Sequence, residues 1–245
     1  MRVIGVDGCP GGWLAVEYDG NSIEPRFHPS FVEMVNSYLN VECIGVDVPI
    51  GLAAGAARGC DVSARRSLGK RGSSVFPAPD PRLLKLSTHA EASARSVELT
   101  GKGVTLQAFG IFPKVEEVNS VMTPLLQNWV VEVHPEVSFW ALNGGCPMEY
   151  SKGNNEGYDE RAALLRAVLG LSIPTRPEAL LLLRSFRANR DPDAEAKRTK
   201  SASPDDLLDA IVAAWSASRV ATGVANRLPE NGETNADGLR MEIVY

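Results

Sequence analysis

The sequence predicts an α/β fold: a mixed five-stranded sheet flanked by helices, with a mainly helical insertion at 53–128, all within a single domain over residues 1–245. Three observations carry this expectation. Two apolar runs, Val3-Ile4-Gly5-Val6-Asp7 and Cys43-Ile44-Gly45-Val46-Asp47, read as buried strands and end alike in an aspartate followed by small residues or proline. Strand-like runs dominate the first 52 residues and resume at Trp129–His134, after a stretch of different composition. Helical periodicity dominates the second half, and alternation of the two patterns is the mark of sheet-and-helix layers.

The elements follow in order. Met1–Cys9 is nearly all apolar, which suits a central strand. Gly11-Gly12 returns the chain into a second strand, Trp13–Tyr18, and Asp19-Gly20-Asn21 is a turn signal. Ser22–His28 is a third strand, with Pro25 suiting an edge. Ser30 and Glu33 have capping-box spacing, ahead of a helix with Phe31, Met34, Val35 and Leu39 on its apolar face. Val41–Leu52 is the fourth strand. From 53 to about 128 come Gly, Ala, Arg, Ser and Pro, the Phe76–Pro81 loop, and helical patterns at about 82–100 and 113–127. Trp129–His134 is the fifth strand. Helices are expected at Asp159–Leu169, stopped by Gly170, and at Pro177–Phe186. Arg187–Ser203 is charged, poorly periodic and expected to be mobile. Ser203 as N-cap and Pro204 at the first helical position start the clearest helix, running to about Thr222. A strand pattern at Leu239–Tyr245 closes the chain and offers an edge for pairing with a second copy as a homodimer.

Composition narrows the function classes. Apolar content of 44% and charged content of 22% are ordinary for a globular chain. A net charge of −5 argues against broad adhesion to nucleic acid, though not against a local basic patch. Cys9, Cys43, Cys60 and Cys146 form no C-x-x-C pair, so neither a zinc ribbon nor a disulfide framework is suggested. No apolar run nears the roughly 20 residues of a membrane span. No signal-peptide core precedes Asp7. The expectation is a soluble, cytoplasmic protein with reduced thiols and no membrane partner. P-loop, dinucleotide, Gly-x-Ser-x-Gly and His-Glu-x-x-His signatures do not occur.

What remains is acid. Asp7, Asp47 and Glu132 each lie late in a predicted strand, and the last long helix adds Asp206 and Asp209, three apart and hence on one face. Small residues Ala210 and Ala213 would let that helix lie close to the sheet. Two like charges ~4 Å apart repel by about 4 kcal/mol at an effective dielectric of ~20, so such a cluster must protonate or take a cation. All-oxygen ligands suit Mg²⁺ or Mn²⁺. The expected metal ligands are Asp7, Asp47 and Asp209, with Glu132 and Asp206 as further ligands or water-orienting groups. Arg58, Arg65 and Lys70 are candidates for phosphate contact on a substrate.

Each assignment has a plainer alternative. Asp7 and Asp47 could cap turns before Gly8 and Pro49-Ile50-Gly51. Asp206 could serve only the helix N-terminus, where acids complement the dipole. Glu136 competes with Glu132, and His134 could shuttle protons or simply pack. Arg58 and Arg65 could neutralise the acids from within, which would remove the need for a metal.

The order of elements resembles the ribonuclease H-like fold. More narrowly, the chain is similar to the DUF429 family of predicted nucleases of that fold. The phrases that carry the likeness include Gly5-Val6-Asp7-Gly8-Cys9-Pro10-Gly11-Gly12-Trp13, Asp47-Val48-Pro49-Ile50-Gly51-Leu52, Arg58-Gly59-Cys60-Asp61, Pro113-Lys114-Val115-Glu116-Glu117, Glu132-Val133-His134-Pro135-Glu136 and Asp205-Asp206-Leu207-Leu208-Asp209-Ala210. The resemblance implies a metal-dependent nuclease that hydrolyses phosphodiester bonds, with nucleic acid as the candidate partner. The alternative is a non-catalytic protein of the same fold that binds a small anionic or nucleotide ligand.

Overall fold

A computed structural model describes residues 1–190 and 202–245. The first three strands, β1 (Val3–Cys9), β2 (Gly12–Tyr18) and β3 (Ile23–His28), form an antiparallel meander. Helix α1 (Phe31–Ser37) leads to β4 (Cys43–Val46). Residues 53–128 carry helices α2 (Gly59–Leu68), α3 (His89–Thr100), α4 (Leu106–Gly110) and α5 (Phe112–Asn119). Then follow β5 (Val130–Glu132), α6 (Pro135–Leu142), α7 (Asn155–Leu169), α8 (Arg176–Arg190), α9 (Pro204–Ala221), β6 (Arg227–Thr234) and β7 (Arg240–Val244).

The main sheet has the order β3-β2-β1-β4-β5, with β1, β4 and β5 parallel. A mixed five-stranded sheet flanked by helices is the predicted architecture, and it is consistent with a ribonuclease H-like fold. Strand alternation divides its residues between two faces. Ile4, Val6, Trp13, Ala15, Ile44 and Val46 form one core with Phe31 and Met34 of α1, Ala92 of α3 and Val115 of α5. Leu14 and Val16 face the other way and pack with residues of α7, α8 and α9. Gly5 and Gly45 share this second face and let α9 lie almost on the backbone. A Cβ on Gly5 would come to 1.9 Å from the Ala210 carbonyl oxygen and 2.1 Å from the Ala214 nitrogen; one on Gly45 would come to 2.8 Å from the Ala213 carbonyl oxygen.

Several expectations shift by local physics. The helix after Ser30 ends at Ser37, so Leu39 is 64% exposed and Tyr38 takes the buried place instead. Ser30 accepts from the Glu33 backbone N–H, the cap expected of it. Helix α6, beginning directly at Pro135 where the predicted fifth strand stops, has no counterpart among the predicted elements; its buried acid and aromatic residues lack a polar face to reveal the helical period. Of the segment 187–203, residues up to 190 continue α8 and 191–201 lie outside the described residues. The C-terminal strand does not stand unpaired: β7 pairs antiparallel with β6, and Val244 bridges Val133 beyond β5. Among the described residues no helix is long and apolar enough to cross a membrane, and the four cysteines form no disulfide.

Candidate functional site

The register of the sheet builds the site. Val6 pairs with Val46 in the parallel β1–β4 ladder, so Asp7 and Asp47 leave adjacent strands side by side. The Asp47 N–H donates to the Val6 carbonyl at 2.9 Å, which carries the pairing one step past the strand end. Each aspartate lies two residues beyond the glycine that receives α9, hence on the α9 face. On the helix, Asp206 is one turn before Ala210, which lies over Gly5, and Asp209 one turn before Ala213, which lies over Gly45. The helix therefore sets Asp206 toward Asp7 and Asp209 toward Asp47.

The electrostatics agree with this placement. Burial raises the Asp7 carboxyl well above its ordinary range, and Asp206 is the strongest charge acting on it, ahead of Asp47 and Asp209. Burial pushes Asp47 up to about 8, with Asp209 the strongest charge acting on it. Asp206 is pushed up to about 6 by burial, although its carboxylate accepts the Ser203 N–H at 2.8 Å. It thus caps α9 and faces the cluster. Asp209, 1% exposed, is also raised by burial. A neighbouring cation opposes that shift: the Lys152 ammonium lies 2.5 Å from Asp209 Oδ2.

Two lysines therefore belong to the site, and the sequence reading assigns a role to neither, although Lys114 stands in the family phrase Pro113–Glu117. Lys152 comes from the Gly/Asn-rich connection before α7, where no periodicity marks it. It is held above its ordinary range chiefly by Asp209, with Asp7 and Asp47 adding to the effect. Lys114, on α5, lays its side chain over Gly8, where an added Cβ would meet its Cγ at 3.3 Å. Its ammonium sits 4.4 Å from the Trp13 ring centroid and 3.7 Å from Glu117, and burial lowers its pKa.

The other predicted residues lie elsewhere. Glu132 pairs with Val46, not Asp47, so it points to the opposite face. There Arg58, 2% exposed, binds it through two N–H donors at 2.7 Å each and binds Asp61 at 2.6 Å. Glu132 also accepts the Ile50 N–H at 2.7 Å. The expectation that Arg58 contacts a substrate phosphate meets a guanidinium buried and spent inside the protein. Arg65 donates twice to the Val75 carbonyl, at 2.8 and 2.6 Å. Lys70 lies exposed in the 3-10 turn Gly69–Ser74. Glu136 pairs with Arg161 at 2.5 Å.

Two groups can be tested against a metal. Cys60, Asp61 and Glu132 bring donor atoms within 4.8 Å of one another, a buried carboxylate and thiol cluster compatible in composition with a metal site. Arg58 already bonds both carboxylates there, so a second cation would meet like charge. Asp7, Asp47 and Asp209 offer only oxygen, suited to Mg²⁺ or Mn²⁺, and their excess negative charge is what a cation would relieve. Their donor atoms do not close to the same 4.8 Å among the described residues.

A family model described as protein of unknown function, DUF429, matches residues 5–234. The chain belongs to the DUF429 family. No curated protein and no solved structure matches it. In this DUF429 chain the matched span includes every residue of the acidic site, both lysines and the Arg58 network.

An acid whose folded pKa is raised binds more protons folded than unfolded, so stability falls as pH rises between the two values. Asp47 titrates folded at about 8 and Glu132 at about 7, against ordinary values near 4. His134, lowered by burial, gives the opposite slope, but only below its ordinary value of 6.5. Without divalent cations the chain is expected to lose about 1–2 kcal/mol per such carboxyl between roughly pH 6.5 and 8. Chemical denaturation across that range measures it; a flat or rising profile would refute the raised values.

Proposed function

We propose that this DUF429 chain is a metal-dependent hydrolase of phosphodiester bonds, a nuclease whose cation is held by Asp7, Asp47 and Asp209. The observation that supports it is the convergence of four aspartates on one face of the sheet, Asp7 and Asp209 buried and Asp47 and Asp206 half-buried, from adjacent parallel strands and a helix seated on glycine, with raised pKa values. A bound Mg²⁺ or Mn²⁺ would supply an activated water and charge stabilisation at the leaving oxygen. The chain's own residues have distinct tasks. Asp7 and Asp47 would bind, their positions fixed by the ladder. Asp206, tied to Ser203, would orient a water or hold a proton. Lys114, beside Asp7, would meet the negative charge of a phosphate.

The second reading, a non-catalytic protein binding a small anionic or nucleotide ligand, draws support from Lys152, because an ammonium already balances part of the acidic charge. Thermal melting with and without Mn²⁺ separates them. A ligand at ~100 times its dissociation constant should stabilise by ~2.7 kcal/mol, and Asp7→Asn should abolish that shift. Wild type should cleave some single-stranded, duplex, branched or hybrid nucleic acid in Mn²⁺, with Asp47→Asn at least ~100-fold slower. A Mn²⁺ shift that survives Asp7→Asn would sink the metal site. Absence of cleavage on every substrate would favour the binding protein.

A further inference from the structure

Lys152 is placed unlike an ordinary surface lysine. Its ammonium lies 2.5 Å from Asp209 Oδ2, and Asp209 is almost wholly buried, yet the lysine side chain itself is 43% exposed. The stem lies at the surface while the head reaches inward. The ammonium also acts on Asp7 and Asp47. One monovalent cation therefore serves the three carboxylates that the metal reading assigns to a divalent one.

The segment bearing it is anchored on both sides of the lysine. Glu160 accepts the Glu149 and Tyr150 N–H groups at 2.7 and 3.0 Å, and Arg71 binds the Met148 and Glu149 carbonyls at 3.0 and 2.7 Å. Asn154 caps α7 by accepting the Gly157 N–H at 2.8 Å. Next to the lysine, Gly153 has open space where a Cβ would be. With its side chain 43% exposed, Lys152 has room for the ammonium to leave Asp209 by rotation about its own four-carbon stem, with the backbone in place.

We propose that Lys152 is the resident counter-cation of the acidic site, which a divalent cation must displace, so that this lysine sets the affinity of the site for metal. Two cations cannot share these carboxylates at close range without strong repulsion. An incoming ion must therefore break the ion pair with Asp209 before it gains that oxygen. The cost appears as weakened binding, by the general rule that a competing bound state lowers apparent affinity. This inference rests on the metal reading above.

Isothermal calorimetry with Mn²⁺ on wild type, Lys152→Met, Lys152→Gln and Lys152→Arg tests it on the full chain, with Asp7→Asn as reference. Lys152→Met and Lys152→Gln should bind Mn²⁺ at least tenfold more tightly than wild type. Lys152→Arg, which keeps the charge, should stay within about threefold of wild type. Without metal, Lys152→Met should melt lower, because Asp209 is left without its partner, and Mn²⁺ should raise its Tm by more than it raises that of wild type. Circular dichroism establishes that each variant is folded, and Lys152→Gln carries the test should Lys152→Met not be. Unchanged or weaker Mn²⁺ binding in the neutral variants, with wild type binding and Asp7→Asn not, overturns the displacement role and leaves the metal site standing. No binding by any variant overturns both.

Discussion

Arg58→Met is expected to destabilise the chain by about 3–5 kcal/mol, the range for leaving a buried charge without its partner. Met replaces the aliphatic stem of Arg58 but not its guanidinium, which supplies four short contacts: two to Glu132, at 2.7 Å each, one to Asp61 at 2.6 Å, and one to the Ile50 carbonyl at 3.0 Å. Glu132 and Asp61 are both buried, and without the guanidinium neither can reach water. Glu132 would retain the Ile50 N–H and Asp61 the Ala78 N–H, so part of each acid stays satisfied. Global stability is typically 5–15 kcal/mol, so this one change removes a large fraction of it. Adding Glu132→Gln to Arg58→Met should recover part of the loss, because a neutral amide needs no counter-charge. Urea melts of the two single variants and the double variant give the coupling directly. A single variant within 0.5 kcal/mol of wild type, together with weakened substrate binding, would return Arg58 to the phosphate role that its sequence context suggests.

Gly5→Ala is expected to cost about 3 kcal/mol or more, at the upper end of overpacking, and to disturb the acidic site with it. The added methyl would lie 1.9 Å from the Ala210 carbonyl oxygen and 2.1 Å from the Ala214 nitrogen. Both are backbone atoms in the middle of a helix, so no rotamer change relieves the overlap and α9 must move away. That movement carries Asp206 and Asp209 from Asp7 and Asp47. The variant should therefore lose Mn²⁺ stabilisation beyond what its lower Tm explains. Gly20→Ala serves as a control, since nothing lies within 4 Å of its Cβ position, although its φ of +97° adds a local backbone cost. Equal melting temperatures for Gly5→Ala and wild type would contradict the close seating of the helix.

Much of this arrangement is legible along the chain. The runs Val3–Asp7 and Cys43–Asp47 are apolar enough to demand burial, and their shared ending puts two acids at one edge of the sheet. Ser203-Pro204 fixes where α9 starts, and the i, i+3 spacing puts Asp206 and Asp209 on one side of it. These are local properties: apolar pattern, capping chemistry and helical period act over a few residues, so a linear reading reaches them.

The tertiary structure decided what depends on distant partners. Glu132 looks like a third strand acid, but its register against Val46 turns it to the other face, and a parity of one residue in a parallel ladder has no local signature. Arg58, 74 residues away, then becomes its counter-ion. Lys152 carries no pattern at all and reaches Asp209 across 57 residues only because α7 packs beside α9. By itself the sequence determined the α/β class, the strand-borne aspartates and the acidic helix start. Which of those acids share a site, and which cations balance them, was decided only when strand register and helix seating brought charges together, because Coulomb energy depends on distance in space and not on separation along the chain.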